Sequence, residues 1–175
     1  IIIDESKRLT HMVEELLYLS RLDAIEEVYH FENVVMKGLV RDTCQRMLSI
    51  SELNHVSLNM DFCETTAYVS GDLDKLERCI ANVISNCIRY AKSRVDIKLT
   101  SQSDRIIITI SDDGPGFEKD EEKQIFKRFY KGKNGNTGLG LAISKSIIEK
   151  HHGSIEARNT NDGAQFIIEL PNSVS

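Results

Sequence analysis

Two runs of alternating apolar residues, 95–100 and 105–111, are separated only by the polar residues 101–104. Period-two alternation marks half-buried strands. A gap so short fits a hairpin, whereas parallel neighbours need a crossover of about a dozen residues or more. A second pair, 154–159 and 164–170, flanks a turn at 160–163, and Pro171 ends the last run. Strand patterns also fall at 28–34 and 55–62. Helical patterns fall at 36–51, through Leu39, Val40, Cys44, Met47 and Leu48, at 72–91, and at 138–151, where Gly153 is the expected stop. Regular strand–helix–strand alternation is absent. The chain is therefore expected to be α+β: a two-layer α/β sandwich with helices on one face of a mixed, mostly antiparallel sheet.

Ahead of this lies a separate element. Leu9, Met12, Leu16 and Leu19 follow 3-4-3 spacing, widened by Val13 and Leu17, which predicts an amphipathic helix ending near residues 22–23. It reads either as a helix folded onto its own domain or as half of a dimerising helical hairpin, so residues 1–26 are set apart from a domain at 27–175. The opening IIIDESKRLT is apolar for only three residues, too few for a signal peptide or a membrane span. With no initiator Met, it reads as the start of a piece cut from a longer chain.

Composition narrows the partners. A net charge of −5 over 175 residues leaves no basic footprint, so nucleic acid is not expected. Cys44, Cys63, Cys79 and Cys87 form no C-x-x-C pair and have no His at zinc-finger spacing, which predicts free thiols and a cytosolic setting. His11, His30 and His55 lack partners at metal-ligand spacing, and His151 with His152 suits a helix C-terminus. No metal site built from His is expected.

The chemistry-bearing residues cluster in three stretches. On the helix opened by Asp72 as N-cap, with Asp74 and Glu77 near its first turn, Leu73, Leu76, Ile80, Val83 and Cys87 form the expected buried stripe. Asn82, Asn86, Arg89 and Tyr90 lie on the other side. Amide oxygens suit Mg²⁺, a guanidinium suits phosphate, and a phenol ring can lie against a purine. A solvated helix face would carry the same residue types. The stretch ISDDGPGF is a turn after a strand, or a site where Asp112 meets a purine while Gly114 and Gly116 allow close approach of the backbone. Gly138-Leu139-Gly140-Leu141 opens a helix, where backbone N–H groups can receive phosphate or glycines can merely aid packing. Residues 118–137 between them are long and charged, with Gly132 and Gly135, as in a functional lid. Arg128, Lys131 and Lys133 would bring positive charge to it, and Phe126 and Phe129 would tack it to the domain.

Together these stretches resemble the catalytic core of bacterial sensor histidine kinases, of the superfamily that also holds gyrase, Hsp90 and MutL ATPases. LERCIANVISNCIRYA resembles the N box, ISDDGPGF the first glycine box, IFKRFYKG the F box, and NTGLGLAISKSI the second glycine box. HHGSIEARNT and GAQFIIELP resemble the closing hairpin, and DESKRLTHMVEELLYLSRLDA the second helix of the dimerisation hairpin. The resemblance implies a Bergerat-type ATP-binding fold and an ATP-dependent protein-histidine kinase. It implies Mg²⁺ on Asn86, with Asn82 supporting the phosphate end as the second catalytic residue. Arg89 would lie near the phosphates, Tyr90 against adenine, and Asp112 would accept from the adenine 6-amino group. Gly114 and Gly116 would admit the base. Gly138 and Gly140 would take the phosphates, with Lys131, Thr137, Leu139 and Leu141 completing the nucleotide set.

Implied partners are ATP or ADP, the histidine-bearing helix of the parent kinase, and a response-regulator receiver domain. The parent would be a membrane-anchored homodimer with this part in the cytoplasm. Three departures stand out: Asn136 replaces the glycine that usually begins the second glycine box, Cys87 replaces the Ala after the second Asn of the N box, and the phosphoacceptor box is missing. His11 lacks the flanks of that box and is not given its role. Two other readings remain, a non-catalytic nucleotide-binding or dimerisation scaffold and an ATP-driven conformational machine of the same superfamily.

Overall fold

The computed structural model describes residues 2–24, 27–64, 66–131 and 138–173. In chain order the elements are α1 (Ile2–Asp23), β1 (Glu32–Val35), α2 (Met36–Leu53), β2 (Ser57–Phe62), β3 (Tyr68–Gly71), α3 (Leu73–Tyr90), β4 (Arg94–Ser101), β5 (Arg105–Asp112), a 3₁₀ turn (Glu121–Lys123), α4 (Gly140–Lys150), β6 (Ser154–Asn159) and β7 (Ala164–Pro171). Both expected hairpins form. The sheet runs β2-β4-β5-β7-β6, antiparallel except where β2 joins β4 in parallel.

Alternation along the strands sends Ile97 and Leu99 of β4, Ile106, Ile108 and Ile110 of β5, and Phe166 and Ile168 of β7 into one buried face. Helix α3 packs on β4 and β5, α4 on β6 and α2 on β2, and α3 touches both other helices. This is the expected two-layer α+β arrangement.

Several details differ from the sequence reading. Helix α2 runs on to Leu53, and β2 starts only at Ser57, because the chain reverses through His55 at φ 56° while the Val56 N–H closes onto the Ser51 carbonyl at 2.9 Å. Strand β1 starts at Glu32 and pairs with β3, a strand not foreseen because its four residues show too little alternation. Leu73 is 41% exposed, and Cys79, Ile84 and Ile88 join the buried side of α3, because that helix is enclosed by two helices as well as the sheet.

His151 does more than sit at a helix end. It is buried, its Nδ1 donates to the Ile147 carbonyl at 2.7 Å, and its Nε2 accepts the Asp72 N–H at 2.9 Å. Accepting from an N–H requires neutral Nε2, and burial also pushes the imidazole pKa down. Tyr29 meets its ring edge-on at 5.7 Å and Phe31 at a tilt at 5.1 Å, and the His30 N–H donates to Asp72 Oδ2 at 3.0 Å. The segment after α1 is thereby pinned to the starts of α3 and the end of α4.

Only the C-terminal part of α1 is covered. Leu19 and Leu22 are buried, and the helix packs on α4, whereas Leu9, Val13, Leu16 and Leu17 stay exposed. No helix among the described residues is long and apolar enough to cross a membrane.

Candidate functional site

A cavity of about 1180 Å³ opens between α3, the end of β5, the start of α4 and α1. Asn82, Asn86, Arg89 and Tyr90 line one wall, since positions three and four apart on a helix share a face. The buried side of α3 holds this wall against the sheet, and Asp72 caps its first turn by accepting the Lys75 N–H at 3.2 Å. Asn82 Nδ2 donates to the Gly140 carbonyl at 3.0 Å, which ties α3 to the start of α4. Asn86 makes no side-chain hydrogen bond to another described residue, so its amide is available to the cavity.

Asp112 is buried at the mouth of the first glycine turn and lines the cavity. Its Oδ1 accepts from the N–H of Gly114 at 2.9 Å and of Ala164 at 3.4 Å. Burial raises its pKa above the usual carboxylate value, with those N–H groups and the Cys87 thiol opposing the rise. A held, partly desolvated carboxylate is well suited to accept from a neutral amino group. Gly114 does not line the cavity. It packs directly behind Asp112, where a Cβ would strike the Tyr90 carbonyl. The neighbouring Asp113 turns away: its carboxylate collects the N–H groups of Lys92, Ser93 and Arg94 and the Ser93 hydroxyl. Partial burial raises its pKa, but these donors outweigh that and hold it well below the usual range.

Gly116, Lys131, Gly138, Gly140 and Leu141 also line the cavity. Gly138 adopts φ +75°, and its carbonyl accepts the Phe129 N–H at 2.8 Å, so residues 129 and 138 are joined at the base of the segment between them. Helix α4 thus starts at Gly140, two residues later than expected. Leu139 is fully buried and does not line the cavity, its carbonyl accepting from Ile143. Thr137, Lys133, Gly132, Gly135 and Asn136 lie outside the described residues.

Two expectations for the lid are corrected. Phe126 does anchor it, edge-on to Phe166 at 6.4 Å, but Phe129 is 52% exposed because the chain turns there at φ 62°. Arg128 does not reach the cavity. It pairs with Asp23 of α1, so its charge fastens the lid to that helix.

A family model described as "Histidine kinase-, DNA gyrase B-, and HSP90-like ATPase" matches residues 71–174. The chain belongs to this ATPase family. Sensor histidine kinase RppB of Synechocystis sp. is 36% identical over 176 residues, covering 95% of this chain and 39% of RppB. Sensor protein SrrB of Staphylococcus aureus is 36% identical over 183 residues, covering 98% of this chain and 31% of SrrB. The chain therefore spans well under half the length of these sensor-kinase relatives. In fold it matches ShkA in complex with AMPPNP, with a TM-score of 0.88 at 22% identity, covering 98% of this chain and 37% of ShkA. Histidine kinase ThkA in complex with response regulator protein TrrA matches with a TM-score of 0.83 at 23% identity, covering 99% of this chain and 50% of ThkA.

Within this ATPase family fold, the chain carries one wall that its local patterns do not assign to the site. His11, Glu15, Tyr18 and Arg21 of α1 line the cavity, as does Arg78 of α3. Arg78 was legible, being one turn before Asn82 on the same face. The α1 residues were not, because nothing local says which domain surface a helix will cross.

Proposed function

We propose that this chain binds Mg²⁺-ATP and is the catalytic part of a sensor histidine kinase, passing the γ-phosphoryl group to a histidine carried on another helix of the parent protein. The observation that carries this reading is the meeting of Asp112, Asn86, Arg89 and the Gly138–Gly140 turn around one cavity. Asp112 accepts the adenine 6-amino group, a contact guanine cannot make because it offers a carbonyl there. Tyr90 lies beside this end, and the N-terminus of α4 faces the phosphate end. The domain does little covalent work: it positions the phosphates for in-line attack and offsets their charge.

Mg²⁺ fits the donor set. No cluster of three or more His, Cys, Asp or Glu that could hold a metal exists among the described residues, and Asn86 offers one neutral oxygen. Such a site suits a hard cation that keeps most of its waters and shares phosphate oxygens. When bound, the ion neutralises charge on the transferred phosphoryl group.

The ShkA neighbour was solved with AMPPNP and ThkA with a response regulator, which supports ATP as substrate and a receiver domain as the next partner. The exposed stripe of Leu9, Val13 and Leu16 supports α1 as one arm of a dimerising hairpin. The test is calorimetric titration with ATP and ADP, with and without Mg²⁺, on the wild type, Asp112→Asn and Asn86→Ala. Binding should fall at least about tenfold in Asp112→Asn, from loss of one buried charge-assisted contact, and Mg²⁺ dependence should vanish in Asn86→Ala. Undiminished affinity in both variants would sink the assignment. Labelled ATP with a histidine-bearing helix supplied in trans should yield phosphohistidine.

A further inference from the structure

Arg78 is a cation of the cavity that the proposed function leaves without a task. Positions 78, 82 and 86 are four apart on α3 and all three side chains line the cavity. The base end is fixed by Asp112 and by Gly114 packed behind it against the Tyr90 carbonyl. The phosphate end is fixed by Asn82, bonded to the Gly140 carbonyl where α4 begins. Along α3, Tyr90, Asn86, Asn82 and Arg78 therefore run from base to phosphates and beyond. Arg78 stands one turn, about 6 Å, past Asn82 in the direction a polyphosphate leads. A triphosphate has one more group than a diphosphate with which to reach it.

The environment of Arg78 favours an oxyanion. Its side chain makes no ion pair or hydrogen bond to another described residue, and its guanidinium carbon lies 3.6 Å from the centroid of the Tyr18 ring. Stacking uses the flat face of the guanidinium and leaves its in-plane N–H donors open, in the fork geometry that matches phosphate. Tyr18 belongs to α1 and also lines the cavity. Its ring is half-buried and covers one face of the Arg78 guanidinium.

We propose that Arg78 contacts the terminal phosphate of a bound nucleoside triphosphate, and that Tyr18 is a positioning residue that holds the Arg78 guanidinium flat for that contact. Helix α1 thereby takes part in telling triphosphate from diphosphate. Because coupling is reciprocal, a bound triphosphate also strengthens the seating of α1 on the domain. The inference rests on the nucleotide-binding reading above.

The experiment measures AMPPNP and ADP affinity, with Mg²⁺, on the full 175-residue chain. Arg78→Ala should weaken AMPPNP about tenfold, the loss of one charge-assisted contact, and leave ADP within about twofold. Arg78→Lys, which keeps the charge but not the fork, should recover only part of the loss. Tyr18→Ala should weaken AMPPNP selectively by about threefold, the smaller loss expected from removing a cation–π partner. Tyr18→Phe should behave as wild type, and Tyr18→Ala should add nothing in an Arg78→Ala background. Thermal melts check that each variant is folded, and Arg78→Gln replaces Arg78→Ala if the latter is not. Equal effects of Arg78→Ala on both nucleotides, or none, would overturn the phosphate contact. A Tyr18→Ala variant that binds AMPPNP as wild type would overturn the positioning role. Failure of the wild type to bind either nucleotide would overturn the proposed function itself, and needs no variant to be seen.

Discussion

The two glycine-bearing turns beside the cavity are built differently. At 112–116, two adjacent carboxylates organise the backbone. Asp112 gathers the N–H groups of Gly114 and Ala164, while Asp113 gathers three N–H groups and a hydroxyl at the start of β4. At 138–140, Gly138 takes a left-handed conformation, its carbonyl meets Phe129, and Asn82 holds the Gly140 carbonyl. The first turn follows directly from β5 and is bonded to the starts of β4 and β7. The second is tied to the domain by the Phe129–Gly138 backbone bond, by Asn82 and Ser144 on the Gly140 carbonyl and by the buried Leu139 side chain, and local opening of a segment outside the sheet costs less than global unfolding. If the site holds a nucleotide as proposed, that inequality would keep the base end fixed while the phosphate end adapts.

The sharpest way to break the contrast is Gly114→Ala. The added methyl meets the Tyr90 carbonyl and Asp112, neither of which can yield, so about 3 kcal/mol of global stability should be lost in urea unfolding. Next comes Gly138→Ala, which places a methyl against the Phe129 backbone at φ +75°. It should cost about 2 kcal/mol, seen as faster amide exchange around Phe129 and weaker ATP binding, with the exchange of β4 and β5 unchanged. Equal loss of protection in sheet and lid would show that the two turns belong to one cooperative unit.

The smallest effects separate the two carboxylates. Asp113 has a lowered folded pKa, so its stabilisation is present above the usual carboxylate value and lost as pH falls through the folded one. Asp113→Asn should lower stability at pH 7 by about 1 kcal/mol, allowing for solvent screening, and flatten the acid limb of a melting-temperature profile. Asp112 has a raised folded pKa, so its ionisation works against folding as pH rises through that value. Asp112→Asn should therefore melt no lower than wild type at pH 7 while it loses nucleotide. A variant that melts lower would show that Asp112 is held for stability.

Much of the fold was legible because its signals are local. The hairpins at 95–111 and 154–170, the capped helix after Asp72 and the Asn82, Asn86, Arg89 wall follow from periodicity within one element. What was missed is non-local. Strand β3 exists because β1 offers it a partner, and Leu73 is exposed while Ile84 is buried because α2 and α4 enclose α3. Charge alone would send Arg128 to phosphate, yet Asp23, distant in sequence, captures it.

By itself the sequence determined which residues could share a face: spacing of three, four and two dictates that under any packing. It thereby placed Asn82, Asn86 and Arg89 on one wall and Asp112 at a strand end. Only the tertiary structure decided which surfaces meet. It set His151 as acceptor for the Asp72 N–H, Leu139 in the core instead of the cavity, and α1 across the site with Tyr18 on Arg78. Those pairings depend on the summed packing of elements far apart in the chain, a quantity that no window of local sequence contains.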